Sequence, residues 1–173
     1  RVPQARILMV WNIPEYKSRE AVHLDLLSDV LGAGKTSRFY KRLVYQDQIA
    51  TNASASVWLK EIGGQLIVQA DARPGVDLAR VEKALREELA AVLADGPTSQ
   101  EMERVRTQNE AAFVRGIERI GGFGGKSDIL ASNEVYAGDA NFYKTRLQWV
   151  RESTAADLKR AANRWLSDGV FLL

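Results

Sequence analysis

The sequence predicts an α+β fold: a two-layer sandwich in which helices pack on one face of a mainly antiparallel sheet. Three observations carry this prediction. Residues 5–13 are rich in β-branched and apolar side chains, residues 49–72 alternate with a period of two, and the other long segments have helical periodicity. The resulting order is β, α, α, β, β, followed by five helices and a last strand. Because strands and helices do not alternate strictly, a doubly wound parallel sheet is disfavoured.

The N-terminal elements are a strand and a helix. The segment from Ala5 to Ile13 is followed by Pro14 and predicts a strand that is buried on both faces. After Ser18, a suitable N-cap, apolar residues recur every three or four positions as far as Leu31. Gly32 then stands where a helix commonly ends in a C′ glycine.

A short second helix and a hairpin follow. The sequence TSRFYKRLVYQDQ has helical periodicity, with Thr36 or Ser37 available as its cap. Apolar and small residues then alternate through residues 51–59 and 66–72, and the pair Gly63-Gly64 lies between the two runs. This pattern predicts two antiparallel strands joined by a tight connection.

The second half of the chain is predicted to be helical. Residues 76–96 form the clearest amphipathic helix, with an apolar stripe that runs from Val81 to Val92. A further helix is predicted from Ser99, capped through Glu103, to Ile120. Three more helical stretches precede a last strand at residues 170–173. Between the helices lies a glycine cluster that we interpret as a joint or hinge, with a close approach of a ligand as the alternative: Gly121, Gly122, Gly124 and Gly125.

Composition limits the possible functions. The 173 residues carry 24 Lys and Arg against 22 Asp and Glu, so the formal charge of +2 does not imply nucleic-acid binding. With no cysteine and one histidine, His23, the chain has no disulfide and cannot build a His- or Cys-based zinc site alone. No apolar run is long enough to span a membrane. We expect one domain over residues 1–173, and because the chain begins at Arg1 we expect an excerpt or a processed chain.

Four local patterns suggest chemistry, and each has a simpler structural interpretation. Gly34-Lys35-Thr36 resembles the end of a phosphate-binding loop, but Asp29 occupies the position of its first glycine. His23 and Asp25 point apart on a helix, so a catalytic pair is disfavoured. The paired carboxylates, such as Glu87-Glu88, fit solvated helix faces. The basic residues of segment 35–42 could bind an acidic partner, although an exposed face shared by Arg38, Lys41 and Arg42 explains them more simply.

Four longer segments together carry a resemblance to a known family. They are LDLLSDVLGAGKTSRFYKRLVYQDQIATNASAS, ARPGVDLARVEKALREEL, GPTSQEMERVRTQ and RGIERIGGFGGKSDILA, and the likeness extends from about Ala5 to Gly169. In this order and spacing they resemble the non-catalytic domain of the pitrilysin/insulinase zinc metallopeptidases, which include the mitochondrial processing peptidases. The resemblance implies a paired-domain chamber in which another domain carries zinc on an inverted H-x-x-E-H motif.

The resemblance also sets expectations for individual residues. H-x-x-E-H is absent, so no catalytic or metal-binding residue is predicted in this chain. The family's substrate-clasping Arg and Tyr would fall at Val44 and Thr51, and both are substituted here. This departure favours a second domain packed beside the zinc domain over one that holds substrate. Five residues are expected to shape the turn and helix before the hairpin: Gly32, Gly34, Ser37, Arg38 and Tyr40.

Two functional hypotheses remain open. The first is a non-catalytic domain that forms chamber wall and interdomain surface in a zinc metallopeptidase, with the zinc held in the partner domain. The implied partners are that zinc-bearing domain, the assembly's peptide substrates and a further copy of this chain. The second is a structural or protein-binding module without a link to proteolysis, like inactive core subunits of respiratory complexes. The absence of cysteine fits a bacterial cytoplasm or envelope, and the resemblance favours the periplasm.

Overall fold

The computed structural model describes residues 4–167 and 170–172 and has the predicted α+β architecture. A four-stranded, antiparallel sheet with the order β2-β3-β1-β4 forms one layer, and helices cover one of its faces. The predicted last strand is β4, although Leu173 lies outside the described residues. The strands are β1 (Arg6–Ile13), β2 (Ala50–Leu59), β3 (Gly64–Ala72) and β4 (Val170–Leu172).

Six α-helices and one short π-helix are present in the described part of the chain. The π-helix spans Tyr40–Gln46, and its closing hydrogen bond runs from the Asp47 amide to the Arg42 carbonyl at 2.9 Å. None of the helices among these residues is long and apolar enough to cross a membrane. The α-helices are α1 (Arg19–Gly32), α2 (Leu78–Asp95), α3 (Ser99–Glu118), α4 (Lys126–Ala137), α5 (Phe142–Glu152) and α6 (Ala155–Trp165).

Strand β1 is buried on one face, so the prediction of burial on both faces was wrong. Ile7, Met9 and Trp11 point into the core, whereas Leu8 and Val10 between them are half-buried on the open face of the sheet. The prediction was wrong because the two central outward positions, Leu8 and Val10, carry aliphatic side chains, whereas Arg6 and Asn12 at the ends are polar and exposed.

The core lies between the sheet and α1. Helix α1 begins after Ser18, whose hydroxyl oxygen accepts a hydrogen bond from the Glu20 amide, as predicted. Ten of its fourteen residues are buried, because strands lie below it and α5 and α6 pack beside it. The predicted apolar stripe of α2 is also buried and extends the same core. The hairpin of β2 and β3 is confirmed, with a register irregularity between Ala50 and Asn52.

The cap of α3 lies one residue earlier than predicted. Thr98 accepts a hydrogen bond from the Glu101 amide, and the Glu101 carboxylate accepts one from the Thr98 amide at 2.8 Å. This reciprocal capping box replaces the predicted Ser99–Glu103 pair, because Thr98 is the residue whose backbone is extended before the helix. The helix ends at Glu118, two residues before the predicted Ile120.

Candidate functional site

The described residues do not fit a zinc ion. His23 is buried on α1, and burial lowers the pKa of its imidazole. Among the described residues its Nε2 atom has no hydrogen-bond partner, while Asp25 lies near Arg146 of α5. No group of three His, Cys, Asp or Glu side chains within residues 4–167 is close enough together to hold a metal. Since zinc sites in proteins need three or four such ligands, no catalytic step can be assigned to a metal held by these residues.

Gly32 lies inside the last turn of α1, so the prediction of a C′ position was wrong; the helix is followed by Ala33 in an extended conformation. Gly32 allows α1 to approach strand β2 closely. A Cβ atom on Gly32 would come within 1.8 Å of the Ala55 amide nitrogen in β2. Only glycine fits such a contact between a helix and the strand beneath it.

A turn built around Gly34 connects α1 to the π-helix. Gly34 has a φ of +75°, a conformation that favours glycine. Ser37 is fully buried, and its hydroxyl donates a hydrogen bond to the Gly34 carbonyl at 2.7 Å. Ser37, one of the two predicted caps, thus uses its hydroxyl in the turn that precedes the π-helix, and the π-helix has no side-chain cap. The Ser37 carbonyl accepts a hydrogen bond from the Lys41 amide at 3.0 Å. The segment 34–36 follows a helix, which is not the context of a phosphate-binding loop.

Arg38 connects this turn to the junction of α2 and α3. Its guanidinium donates two hydrogen bonds of 2.7 Å to the Glu101 carboxylate and a third, of 3.1 Å, to the Gly96 carbonyl. Burial alone would raise the pKa of Glu101, but the hydrogen bonds from Arg38 and Thr98 and the charge of Arg38 outweigh it and lower the pKa to about 2. The pair is mostly buried, with 16% and 21% of the two side chains exposed.

Two of the four basic residues in segment 35–42, Arg38 and Arg42, are paired with carboxylates of the chain itself. Arg42 pairs with Asp47 at 2.6 Å and with Glu87 at 3.2 Å, while Tyr40 is half-buried. The prediction that Arg38 shares an exposed face with Lys41 and Arg42 was therefore wrong, because the contacts of Arg38 are on α2 and α3. Lys35 and Lys41 remain exposed.

The glycine cluster is a hydrogen-bonded turn between α3 and α4. Gly122 and Gly124 have φ values of +81° and +71°, which supports the interpretation as a joint that requires glycine. A Cβ on Gly125 would lie 2.4 Å from the Gly121 carbonyl oxygen, so Gly125 is also needed. The Asp128 carboxylate accepts a hydrogen bond from the Gly124 amide at 2.7 Å. These contacts define one turn, and they hold Phe123 at its tip 96% exposed.

Two groups of exposed apolar residues were not found from the sequence. The first lies around the connection of β2 and β3, where Trp58 is 62% and Ile62 is 97% exposed. The second consists of Ile120 and Phe123 at the glycine turn. Large apolar side chains in such positions commonly mark contacts with another protein or domain. The signal in the sequence is their position close to glycine-rich turns, Gly63-Gly64 for the first group and residues 121–125 for the second.

The structure places the two expected substrate-clasping positions at different levels of burial. Val44 is half-buried in the π-helix and packs against the core. Thr51 is exposed at the start of β2, and its hydroxyl donates to the Asp71 carbonyl at 3.3 Å. Neither side chain carries the positive charge or the phenol that the resemblance assigns to these positions.

The sequence patterns also did not predict a cleft that lies where α1, α3, α4 and α5 meet. It has a volume of about 420 Å³. Asp25 of α1 and Arg146 of α5 lie in its wall, with 3.4 Å between the Asp25 Oδ2 and Arg146 Nη2 atoms. Burial raises the pKa of Asp25 to about 6, although the charge of Arg146 opposes this. Because these two residues are 121 positions apart, no local pattern could have linked them.

Comparison with known proteins gives the family. The family model described as "Peptidase M16 inactive domain" matches residues 1–109 of this sequence. A curated relative, the zinc protease PqqE of Helicobacter pylori, is 26% identical over 171 residues, which cover 94% of this chain and 36% of that protein. The chain thus spans little more than a third of the length of this relative.

Solved structures share the fold. A protease from Helicobacter pylori has a TM-score of 0.85 at 22% identity, over 98% of this chain and 41% of that one. An inactive peptidase domain from Bordetella parapertussis has a TM-score of 0.83 at 20% identity, over 99% of this chain and 90% of that one. At these identities the structures support the fold, and the family model, which covers more than half of the chain, supports membership. The chain belongs to the family of M16 peptidase inactive domains.

Proposed function

We propose that this chain is the non-catalytic companion of a zinc-bearing peptidase domain. In this role it forms part of a chamber wall and of the interdomain surface, and a separate domain supplies the zinc and the chemistry for cleaving peptides. One observation carries the proposal: a chain that belongs to the inactive-domain family has a single histidine and no cysteine. The relative named a zinc protease is longer, which leaves room for a metal-bearing domain in that protein.

The exposed apolar residues support an interdomain role. The group at the β2–β3 connection and the group at the glycine turn each place large apolar side chains in solvent. Covering such side chains is favourable by about 25 cal/mol for each Å² of apolar area removed from water. A companion domain would gain this free energy on binding its partner. A periplasmic location, which the resemblance favours, stays a prediction.

Reconstitution tests the proposal. The isolated chain, stripped with EDTA and then given one equivalent of zinc, should not cleave an unstructured fluorogenic peptide. Mixed with the H-x-x-E-H domain from the same genome, or expressed in one polypeptide with it, the chain should form a stable complex and increase peptide cleavage. Cleavage by the isolated chain, or a zinc domain that is equally active without it, would overturn the proposal.

Variants locate the contact. Trp58→Ser with Ile62→Ser removes the first apolar group, and Ile120→Ser with Phe123→Ser removes the second. At least one of these double variants should weaken the complex, measured by calorimetry. Tyr45→Ser is the matched control, because Tyr45 is 75% exposed in the π-helix, away from both groups along the chain. Full binding by both double variants would contradict the use of these residues and favour another surface.

A further inference from the structure

The cleft between the helices has the walls of a ligand site. Its lining is mostly apolar and includes four aromatic rings, and its volume of about 420 Å³ falls in the range of small-molecule sites. Phe113 of α3 and Tyr143 of α5 stack with ring centroids 5.6 Å apart. The other two rings belong to Tyr16 and Tyr136, whose centroids are 5.7 Å apart.

Asp25 is a charged group that a ligand in this cleft could reach. About a third of its side chain, 34%, is exposed, and the residue lines both this cleft and an adjoining cavity. Its contact with Arg146 is long, at 3.4 Å, and a carboxylate has about four sites that accept hydrogen bonds. The Asp25 carboxylate therefore has capacity to accept further hydrogen bonds from a donor in the cleft.

Two other polar side chains of the cleft, those of Arg146 and Asn133, are already engaged. Arg146 lies 4.4 Å from the centre of the Tyr16 ring and donates to the Tyr16 carbonyl at 3.1 Å. Asn133, which is buried, accepts from the Tyr16 hydroxyl at 3.3 Å and donates to the Ile129 carbonyl at 2.6 Å. These contacts fix the orientation of the walls. Of the two carboxylates in the lining, Asp128 accepts a hydrogen bond from the Gly124 amide at 2.7 Å, and we therefore assign the ligand's charge to Asp25.

The charges around the cleft favour a cation. Asp25 and Asp128 contribute two carboxylates to its lining, against the single guanidinium of Arg146. Helix α3 adds Arg115, which lines the adjoining cavity, and Arg104, which donates to the carbonyls of Asp29, Val30 and Ala33. The Asp29 carboxylate, also in that cavity, accepts a hydrogen bond from Asn109. The lining of the cleft itself thus carries one net negative charge. Outside the lining, Lys60 lies 5.2 Å from the centre of the Tyr136 ring and Lys144 lies 5.8 Å from that of Tyr143, as expected from the attraction of aromatic faces for cations.

We propose that this cleft binds an organic cation with an apolar body, in which an ammonium or guanidinium group pairs with Asp25 and the body lies against Phe113 and Tyr143. The ligand is either a free amine or the basic side chain of a peptide, since both present the same chemistry. The proposal does not depend on the role of the chain beside a zinc domain. Burial raises the pKa of Asp25, and a cation that pairs with its carboxylate would relieve this cost.

Binding of phenethylamine to the ¹⁵N-labelled, 173-residue chain tests the proposal by NMR. We expect shifts of amide signals in α1, α3 and α5, and saturation at millimolar concentrations. The neutral analogue phenethyl alcohol has the same ring and should bind about tenfold more weakly, because it cannot form the charge-assisted contact. A capped Phe-Lys-Phe peptide separates the two sources: stronger binding than phenethylamine indicates a peptide side chain, and weaker binding indicates a free amine.

Two variants distinguish the site from a general attraction. Asp25→Asn should weaken phenethylamine binding about tenfold and leave binding of phenethyl alcohol unchanged. Phe113→Ala, which keeps the carboxylate, should weaken both ligands. Glu103→Gln is the matched control, because Glu103 is an exposed carboxylate elsewhere on α3 that does not line the cleft. Equal binding of amine and alcohol, shifts outside the cleft, or full binding by Asp25→Asn would overturn the proposal.

The pH dependence gives a second readout. Binding of phenethylamine should strengthen between about pH 5 and about pH 7.5, because the amine stays protonated while Asp25 loses its proton. Asp29, whose pKa burial also raises, faces the adjoining cavity and would act in the same direction. Asp25→Asn should therefore flatten most of the profile. An unchanged profile in this variant would contradict the assigned contact.

Discussion

Helices α1 and α4 have similar lengths but opposite environments. Ten of the fourteen residues of α1 are buried, whereas α4 has twelve residues and its buried one is Asn133, a polar residue. Helix α1 lies on the sheet with helices beside it, whereas α4 packs near the surface against α3, α5 and the loop residues Tyr16 and Lys60. The inner layer, formed by the sheet and α1, is therefore stabilised by apolar packing. The outer helices α3, α4 and α5 contact one another largely through aromatic and polar side chains.

That division explains where the cleft forms. In the inner layer, apolar side chains fill the space between sheet and helices, and a cavity there would be costly. The outer helices meet through rings such as Phe113 and Tyr143, whose centroids are 5.6 Å apart, and through ion pairs such as Arg151–Glu110. Large rings and long side chains do not close the gap completely. The outer region can therefore contain a ligand site without weakening the core.

The largest effect is expected at the contact between α1 and β2. Gly32→Ala should destabilise the chain by about 4 kcal/mol, or prevent folding, because the new Cβ would overlap the backbone of Ala55. Urea denaturation measures the change. Gly63→Ala is the control, since a Cβ there would come no closer than 3.9 Å to the Ile13 carbonyl oxygen. Similar stability of the two variants would contradict the close approach.

The packing of the two regions can be compared directly. Leu158→Ala in α6 removes a fully buried side chain and should cost about 3 kcal/mol in the free energy of unfolding. Phe113→Ala removes a larger side chain, but from the half-buried wall of the cleft, and should cost about 1 kcal/mol. Thermal denaturation of both variants tests the order. A larger loss from Phe113→Ala would show that the outer helices carry a packed core of their own.

An intermediate effect is expected at the junction that Arg38 makes with α3. Glu101→Gln should cost about 2 kcal/mol at neutral pH, because Arg38 would keep its buried position without a charged partner. The pKa of Glu101 is lowered to about 2, so its contribution is present above pH 4.5 and is lost as the pH falls toward 2. Unfolding measured against pH should show this acid loss in the natural chain and in Glu103→Gln, but much less in Glu101→Gln.

The smallest effect has the opposite sign and belongs to the outer region. The pKa of Asp25 is raised to about 6, so the folded chain binds the proton more tightly than the unfolded chain does. Stability should therefore fall as the pH rises from about 4 to about 6.5. At pH 7, Asp25→Asn should be more stable by about 1 kcal/mol, a value reduced from full linkage because part of the side chain faces solvent.

Measurements of unfolding at pH 4 and pH 7 check this expectation. Glu61→Gln, an exposed carboxylate in the β2–β3 connection, should follow the natural chain at both values. If Asp25→Asn were less stable at pH 7, the pairing with Arg146 would outweigh the cost of burial. The charge balance proposed for the cleft would then be wrong.

The local patterns of the chain predicted its elements well. The alternation through residues 51–72 predicted the hairpin, and the stripe from Val81 to Val92 predicted a helix that lies on the core. The order of elements was enough for the α+β class, because few layer arrangements bury such a set of apolar faces. Some errors were local, as at the cap of α3, and others occurred where a neighbour distant in sequence decided the outcome, as at Arg38, whose partner Glu101 lies 63 residues away.

Periodicity was enough to predict the secondary-structure elements and their order, and composition was enough to predict the shortage of metal ligands. Both are properties of the chain alone. The roles of Gly32, Arg38 and Asp25 depend on the folded structure. It placed Gly32 against the backbone of Ala55, buried the Arg38–Glu101 pair, and brought Asp25 to Arg146 in a cleft. The physical reason is that burial, charge pairing and cavities depend on contacts between segments far apart in the chain, and no local pattern records those contacts.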